Sequence, residues 1–396
     1  MQSRTALEKK TGARSVATEP ADTRSFIMDT YARYPVHLAS GIGCRLTDTA
    51  GKTYLDMLSG IASCPLGHAH PNFVESVRRH AQGLSNASNL YYTENQARLA
   101  SELCRNSSME KCFFSNSGSE SNEAALKLAM AATGKKRFVA CQGAFHGRTL
   151  GSLSATYDAK YRAAFEPLMP AVDFVPYGSA DAVRKAITLQ TAAVIVEPIQ
   201  GESGVIVPPQ TYLAELLELC ESNDVLLIVD EVQTGNGRTG TYFEWQSLGI
   251  KPHITTTAKG LANGLPMGVT LARGLDFKPG QHGTTFGGNS FVAGVAYDVV
   301  RTIHDENLMP NAARQGSYIM EGVREMGKKT VSFVRGKGLM IGIQLDSHAK
   351  ATLEGLRNAG VLSNVAHDNT LRLLPPLILQ KSDADEFLHA FNEVVA

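Results

Sequence analysis

The sequence has no excess of charge of either sign: 38 Lys and Arg balance 38 Asp and Glu. Without a basic field to attract a polyanion, neither nucleic acid nor anionic lipid is an expected partner. Small neutral or zwitterionic metabolites fit better. No apolar run approaches the ~18 residues that a membrane helix needs, so no membrane span is expected. The six cysteines are scattered, with no C-x-x-C pair and no metal-like cluster. They read as reduced, mostly buried thiols of a cytoplasmic protein, and no metal site is expected. G-x-x-x-x-G-K-[ST], H-E-x-x-H and G-x-S-x-G are all missing, as are internal repeats and low-complexity linkers. What remains is a globular composition, 43% hydrophobic and 19% charged, over 396 residues. That is enough for two domains.

Residues 1–24 are polar, with basic and acidic side chains mixed, and read as a flexible tail rather than a transit peptide. Residues 25–60 form an entry segment with short strands, including a hairpin about Ala50-Gly51. From about 61 to 285 the pattern alternates. Helical stretches (72–83, 94–104, 119–133, 209–222) separate seven short apolar runs: "KCFFSN", "KRFVAC", "VDFVPY", "AAVIVEP", "VLLIVDE", "HITTTAK" and "GVTLARG". Such repetition predicts an α/β domain with a mostly parallel sheet covered on both faces. After about 286 the style changes to helices over 291–306, 310–327, 349–359 and 383–395. "VSFVRGKGLMIGIQL" alternates as half-buried antiparallel strand, and the short runs "VLSNV" and "TLRLLP" lie between the last helices. This reads as a smaller α+β C-terminal domain, with the entry segment packed beside it.

Four stretches carry candidate chemistry. "SNSGSESNEAALKLAMAATG" (115–134) runs from a strand end through a small polar turn into a helix. Ser117 or Ser119 can cap that helix, and Gly118 lets an anion approach its free N–H groups. Taken alone, this is either a well-capped helix or a phosphate cup. "VLLIVDEVQTG" (225–235) brings Asp230, Glu231 and Gln233 to the carboxyl end of a buried strand, where ligands of α/β sheets sit. "TTTAKGLANGLPMG" (255–268) puts Lys259 between a Thr-rich strand and a glycine-rich turn. There it is either a snorkelling lysine or an amine that forms a Schiff base. "GNGRTG" (235–240) matches a dinucleotide fingerprint in form only, because no acidic residue follows about 20 positions on. A phosphate cup, a strand-end aspartate and a lysine, in that order, suit pyridoxal 5′-phosphate: phosphate, ring nitrogen and aldehyde each have a partner.

Eight ordered blocks carry a resemblance: "GIASCPLGHAHP", "NSGSESNEAALKLA", "FHGRTLGSLSAT", "VEPIQGESGV", "VDEVQTGNGRTG", "TTAKGLANGLPMG", "HGTTFGGN" and "LRLLPPL". From about residue 26 to the end, the chain resembles the class III (ω-amino-acid) aminotransferases, and within them the acetylornithine branch. The resemblance implies the type I pyridoxal-phosphate fold, with a seven-stranded sheet in the large domain, and a homodimer with shared active sites. It implies that Gly118 and Ser119 hold the cofactor phosphate. Phe145 and Val232 would lie on the two faces of its ring, Asp230 at the ring nitrogen and Gln233 at the phenolic oxygen. Lys259 would form the Schiff base and shuttle the proton. Thr285 would reach the neighbouring subunit's phosphate, with Thr284 near the substrate. Arg148 would bind a substrate carboxylate, helped by Tyr31. Arg372 would take the α-carboxylate of 2-oxoglutarate or glutamate, and Glu202 would mask it when the ω-amine donor is bound. Ser119, Ser121, Asn236, His253 and Thr284 depart from common choices in the family; at Ser119 and Ser121 the backbone does the binding, Asn236 and His253 lie away from the chemistry so placed, and Thr284 would alter contacts to the substrate's tail. The implied reaction moves the δ-amino group of N-acetylornithine to 2-oxoglutarate, in arginine biosynthesis. Ornithine, succinylornithine or another ω-amine is the alternative donor. A non-catalytic pyridoxal-phosphate-binding protein is the alternative of another class.

Overall fold

The computed structural model describes residues 26–346, 348–367 and 369–395. The tail expected over 1–24 lies outside them. The chain forms two compact units, one up to His37 and the other from Leu38 onward. Residues 27–37 contain no helix or strand; Tyr31 is exposed there, with the Arg33 guanidinium 5.6 Å from its ring centroid.

The second unit opens with an antiparallel ribbon, β1 (Leu38–Ile42), β2 (Arg45–Asp48) and β3 (Thr53–Asp56). The β2–β3 turn is the one expected: Gly51 takes φ 86° and its N–H bonds the Asp48 carbonyl at 3.0 Å. The seven apolar runs form the seven strands of one sheet. These are β4 (Lys111–Ser115), β5 (Arg137–Cys141), β6 (Ala171–Val175), β7 (Thr191–Val196), β8 (Leu226–Asp230), β9 (Ile254–Thr257) and β10 (Gly268–Ala272), in the order β4-β10-β9-β8-β7-β5-β6. Only β10 runs against its neighbours, β4 and β9. Alternate residues face opposite cores. Val139, Val194, Val196, Leu227 and Val229 join a core with the helix Tyr212–Glu221. Phe138, Ala193, Ile195 and Ile228 join one with Gly118–Thr133, whose Ala125 and Ala129 allow close packing. Period-two alternation with both faces apolar is why these strands read as continuous hydrophobic runs.

A third sheet follows: β11 (Val331–Lys337), β12 (Met340–Leu345), β14 (Asn364–Ala366) and β15 (Thr370–Leu373), in the order β11-β12-β15-β14. The run "VLSNV" reads as one piece of this lobe, but the chain divides it at Ser363. Its first part, β13 (Val361–Leu362), crosses to pair in parallel with β3, while β14 stays with β15. Leu55, Met57, Val361, Ile341, Ile343, Leu371, Phe387 and Phe391 share one core. Among the described residues, five α-helices escaped the sequence reading: Ser59–Ala62, Leu150–Ser154, Ala159–Arg162, Ala180–Ala186 and Glu244–Ser247. Each spans two turns or fewer, too short to display a 3.6-residue period.

Because β10 is the one reversed strand, β4, β5, β7, β8 and β9 all end at the same edge of the large sheet. Gly118, Ser119, Phe145, Glu202, Asp230, Val232, Gln233 and Lys259 lie at or beyond those five ends.

Candidate active site

At that edge is a cavity of about 200 Å³, lined by Gly118, Ser119, Phe145, Glu202, Asp230, Val232, Gln233 and Lys259 together with Ser117, Asn122, His146, Gly147 and Glu197. Eight residues drawn from five separate sequence blocks thus converge on one space.

The helix Gly118–Thr133 starts at the cavity wall. Ser117 is its cap, accepting the Glu120 N–H at 3.2 Å, and the first internal bond runs from Ser121 N to Ser117 O. The N–H groups of Gly118 and Ser119 precede that bond and lie at the positive helix end. A Cβ on Gly118 would come within 2.7 Å of Val232 Cγ1. Glycine is therefore required for the helix start and the Val232 side chain to share this corner.

Asp230 ends β8. Its Oδ2 accepts a hydrogen bond from Asn122 Nδ2 at 2.7 Å and faces His146 Nδ1 at 2.8 Å; its Oδ1 accepts the Val232 N–H at 3.0 Å. Asn122 is itself oriented by the Thr256 hydroxyl, 2.7 Å from its Oδ1. His146 Nε2 is buried without a partner. Glu231, the next carboxylate, turns away to accept Thr234 Oγ1 at 2.5 Å and the Trp245 N–H at 3.0 Å. Burial pushes its pKa up to about 8.

Lys259 follows β9 in a left-handed conformation (φ 41°). Asn236, in the formal glycine fingerprint, donates to Thr257 Oγ1 and the Ala258 carbonyl, both at 3.0 Å. It thereby fixes the residue before the lysine, a support that the sequence reading did not assign to it. Burial lowers the Lys259 pKa, and Arg372 adds to this against the opposing pull of Glu202, Asp230 and Glu197. A lysine more easily deprotonated than usual is a better nucleophile and base.

Arg372 is buried in β15, and its Nη1 donates to Glu202 Oε1 at 2.5 Å and to Gln233 Oε1 at 3.2 Å, while Nε donates to Asn364 Oδ1 at 3.2 Å. Burial opposes the Glu202 carboxylate. The charge and hydrogen bond of Arg372 outweigh it, so the Glu202 pKa lies below the usual value. Glu197, just past β7, accepts the N–H groups of Phe145 (3.0 Å) and Gly201 (3.2 Å), joining two loops of the site. Burial raises its pKa to about 7.

The Phe145 ring meets Tyr161 edge-on at 5.7 Å. The exposed Arg148 stacks its guanidinium 3.7 Å from the Tyr161 centroid and 5.4 Å from that of Phe145. A second cavity of about 630 Å³ shares Phe145 and Glu202 with the first and is walled by Tyr157, Lys160, Tyr161 and Ser203. Thr284 and Thr285 do not line either cavity. Thr284 Oγ1 connects to the helix start only through Asn116 Nδ2 at 3.3 Å, and Thr285 is exposed. Tyr31 belongs to the separate first unit.

Asn122, His146 and Glu197 were absent from the sequence-derived site. Asn122 looks like a polar position on a capped helix, and Glu197 like a strand-end charge. Their partners lie 108, 84 and 52 residues away along the chain.

This fold and edge-of-sheet site define a class. The family model for class-III aminotransferases matches residues 27–395, and the chain belongs to that family. It is 43% identical over 378 residues to the acetylornithine aminotransferase of Methanothermobacter thermautotrophicus, covering 94% of this chain and 97% of that one. It is also 43% identical to the acetylornithine aminotransferase of Mycobacterium tuberculosis, at 97% and 98% coverage. Among solved structures, the ornithine aminotransferase of Toxoplasma gondii, with pyridoxal phosphate at partial occupancy in its active site, superposes with a TM-score of 0.91 at 28% identity, covering 94% and 92%. The acetylornithine aminotransferase of Elizabethkingia anophelis gives 0.84 at 29% identity, covering 94% and 97%. The fold is thus that of the pyridoxal-phosphate-dependent aminotransferases.

The residues present fit pyridoxal 5′-phosphate. A helix N-terminus cleared by Gly118, a buried carboxylate held from three sides and a lysine of lowered pKa supply one partner for each of its functional groups.

Proposed function

We propose that the chain uses pyridoxal 5′-phosphate to move the δ-amino group of N-acetylornithine to 2-oxoglutarate, giving N-acetylglutamate 5-semialdehyde and glutamate, a step of arginine biosynthesis. The observation that carries this reading is the Glu202–Arg372 pair at 2.5 Å, whose Glu202 lines the Lys259 cavity. An aminotransferase with an ω-amine donor must accept one substrate without a carboxylate on the reacting carbon and one that has it there. A guanidinium that a neighbouring carboxylate can mask serves both. Identity with acetylornithine aminotransferases over nearly the whole chain supports the donor, and the larger cavity beyond Phe145 and Glu202 leaves room for an acylated tail.

When bound, the cofactor supplies an aldehyde for the substrate amine and a ring that accepts the electron pair left by Cα–H cleavage. Asp230, held by Asn122 and facing His146, keeps a proton on the ring nitrogen. Gln233 donates toward the phenolic oxygen, Gly118 and Ser119 hold the phosphate, and Phe145 and Val232 confine the ring. Lys259 anchors the cofactor and carries the proton to and from the reacting carbon. Arg148, seated on Tyr161, takes the donor's carboxylate, with Tyr31 and Thr284 assigned to the substrate side. Thr285 is assigned to the neighbouring subunit of a homodimer, supported by its exposure and by exposed Leu90, Tyr91, Tyr92 and Phe286. A cofactor-binding domain over 61–285 and a C-terminal domain over 286–396, with 25–60 beside the latter, belong to the same reading. So does a cytoplasmic location, for which six free cysteines speak.

With 2-oxoglutarate as acceptor, kcat/KM for N-acetylornithine should exceed that for ornithine, succinylornithine and 4-aminobutyrate by about tenfold or more. Borohydride reduction in the presence of pyridoxal phosphate should leave a pyridoxyl group on Lys259. A preference for ornithine would move the protein to the alternative donor. Labelling without turnover of any donor would make it a binding protein.

A further inference from the structure

We infer that Arg335 is a positioning residue that sets the contact between Glu202 and Arg372, and with it the balance between the two substrate classes. The inference rests on the reading of that pair as a switch. Four residues stand in register across the small sheet: Arg335 on β11 opposite Gly342 on β12, Gly342 opposite Arg372 on β15, and Arg372 opposite Asn364 on β14. Directly opposed residues in a sheet project to the same face. Two arginines therefore flank a gap made by a glycine.

The loop that carries Glu202 fills this gap. Its stem is closed by paired bonds between Gln200 and Ile206, at 3.0 and 2.9 Å. A Cβ on Gly342 would lie 2.9 Å from the Gly204 carbonyl oxygen and 3.0 Å from Val205 Cβ. Gly204 takes φ +96°, and a Cβ there would meet Thr370 Oγ1 at 2.7 Å and Arg335 Nη2 at 3.1 Å. Arg335 holds the loop from one side: its Nε donates to the carbonyls of Gly204 (2.9 Å) and Val205 (3.0 Å). Its other nitrogens reach Gln344 Oε1 (2.6 Å) and Thr370 Oγ1 (3.3 Å). Arg372 holds the same loop from the other side, through Glu202.

Among the described residues the Arg335 guanidinium meets no carboxylate. All its bonds go to neutral oxygens, two of them backbone carbonyls two and three residues past Glu202, and one on Thr370, two residues before Arg372. A single side chain thus ties together the segments that bear the two switch partners. Releasing it frees the loop to lift from Gly342, and Glu202 then masks Arg372 less well. Arg335 touches neither substrate nor cofactor in this scheme.

The test compares single-turnover rates of the holoenzyme with glutamate and with N-acetylornithine, and the dissociation constant of glutarate, an unreactive dicarboxylate, by calorimetry. Variants are Arg335→Met, Arg335→Lys and Gly342→Ala, with Glu202→Ala as the reference. Arg335→Met should raise the glutamate-to-acetylornithine rate ratio and tighten glutarate, each by about tenfold, the scale of one charge-assisted hydrogen bond. Arg335→Lys should shift both less, and Gly342→Ala should shift both in the same direction by pushing the loop away. Combining Arg335→Met with Glu202→Ala should give no more than Glu202→Ala alone, since nothing is then left to position. Equal losses in both half-reactions, an unchanged glutarate affinity, or additive effects in the double variant would overturn the inference. If Glu202→Ala itself leaves the ratio unchanged, the switch reading falls first and this one falls with it. Should Arg335→Met fail to fold, the lysine and Gly342→Ala variants decide alone.

Discussion

Asp230 and Glu231 are neighbours in sequence with opposite surroundings. Asp230 is wrapped by donors at the cavity, whereas Glu231 is sealed in the core beside Thr234 and the start of the helix Glu244–Ser247. Burial raises Glu231 from 4.5 to about 8, with hydrogen bonds from Thr234 and Trp245 opposing it. A raised carboxyl pKa means that the folded state holds a proton which the unfolded chain has already released. The stability it contributes is full below pH 4.5 and is lost as pH rises through about 8. Glu231→Gln keeps the shape and the oxygen that accepts Trp245 N, and removes the titration. Its urea midpoint should therefore fall less than wild type's between those limits, by the equivalent of a few kcal/mol at most on an order-of-magnitude scale. The slope should not vanish, because Glu197, raised to about 7, acts in the same sense. An identical pH profile in the variant would mean that Glu231 is ionised in the fold. The sequence presents Asp230, Glu231 and Gln233 as one group at a strand end. Only the turn of each side chain separates the one facing the cofactor site from the one buried behind it.

Among elements, the helix Gly118–Thr133 was the most legible and is also the most constrained. Its cap, its glycine stop at Gly134 and its alanine-rich sheet face are all written in local sequence. Its fit against Val232, which lies in the turn after β8 more than a hundred positions on, is not. Gly118→Ala should force that corner apart and weaken cofactor affinity roughly tenfold to a hundredfold, the effect of a few kcal/mol of overpacking. Adding Val232→Ala removes the two methyl carbons that a new Cβ would strike at 2.7 and 2.9 Å, and should restore most of the loss. Titration with pyridoxal phosphate measures both variants; no rescue would mean that the backbone, not the space, sets the defect. The long strands and helices were readable because burial repeats with period two or 3.6 over several turns. "VLSNV" misled because five residues cannot show that a chain changes sheets at Ser363. The reversed direction of β10 was equally invisible, being a property of its connections and not of its side chains.

For the whole molecule, the proposed homodimer places Thr285 of one chain in the service of the other. Thr285 and Thr284 stay off the cavities of their own chain, while the loop residues Asn86 and Asn89 bind their carbonyls at 3.3 and 3.2 Å and hold the segment outward. Mixing Lys259→Ala chains with Thr285→Ala chains should regain up to about a quarter of wild-type activity per site: random exchange makes half the dimers mixed, each with one intact site. Exchange shown by mass spectrometry without recovered turnover would confine each site to a single chain.

The pairing of β13 with β3 has a consequence in time as well as space. The ribbon of β1, β2 and β3 leaves the ribosome early, yet its fourth strand is Val361–Leu362, and the Met57 and Pro65 carbonyls receive the N–H groups of Leu374 and Leu377. Until that late segment is made, the nascent ribbon keeps an open strand edge and an uncovered Leu55 and Met57, both fully buried in the finished protein. Arg372 lies on that same late stretch. The arginine that Glu202 masks and the patch that shields the ribbon arrive together, so a chain shortened near residue 360 would forfeit its substrate selectivity and its protection from aggregation in one step.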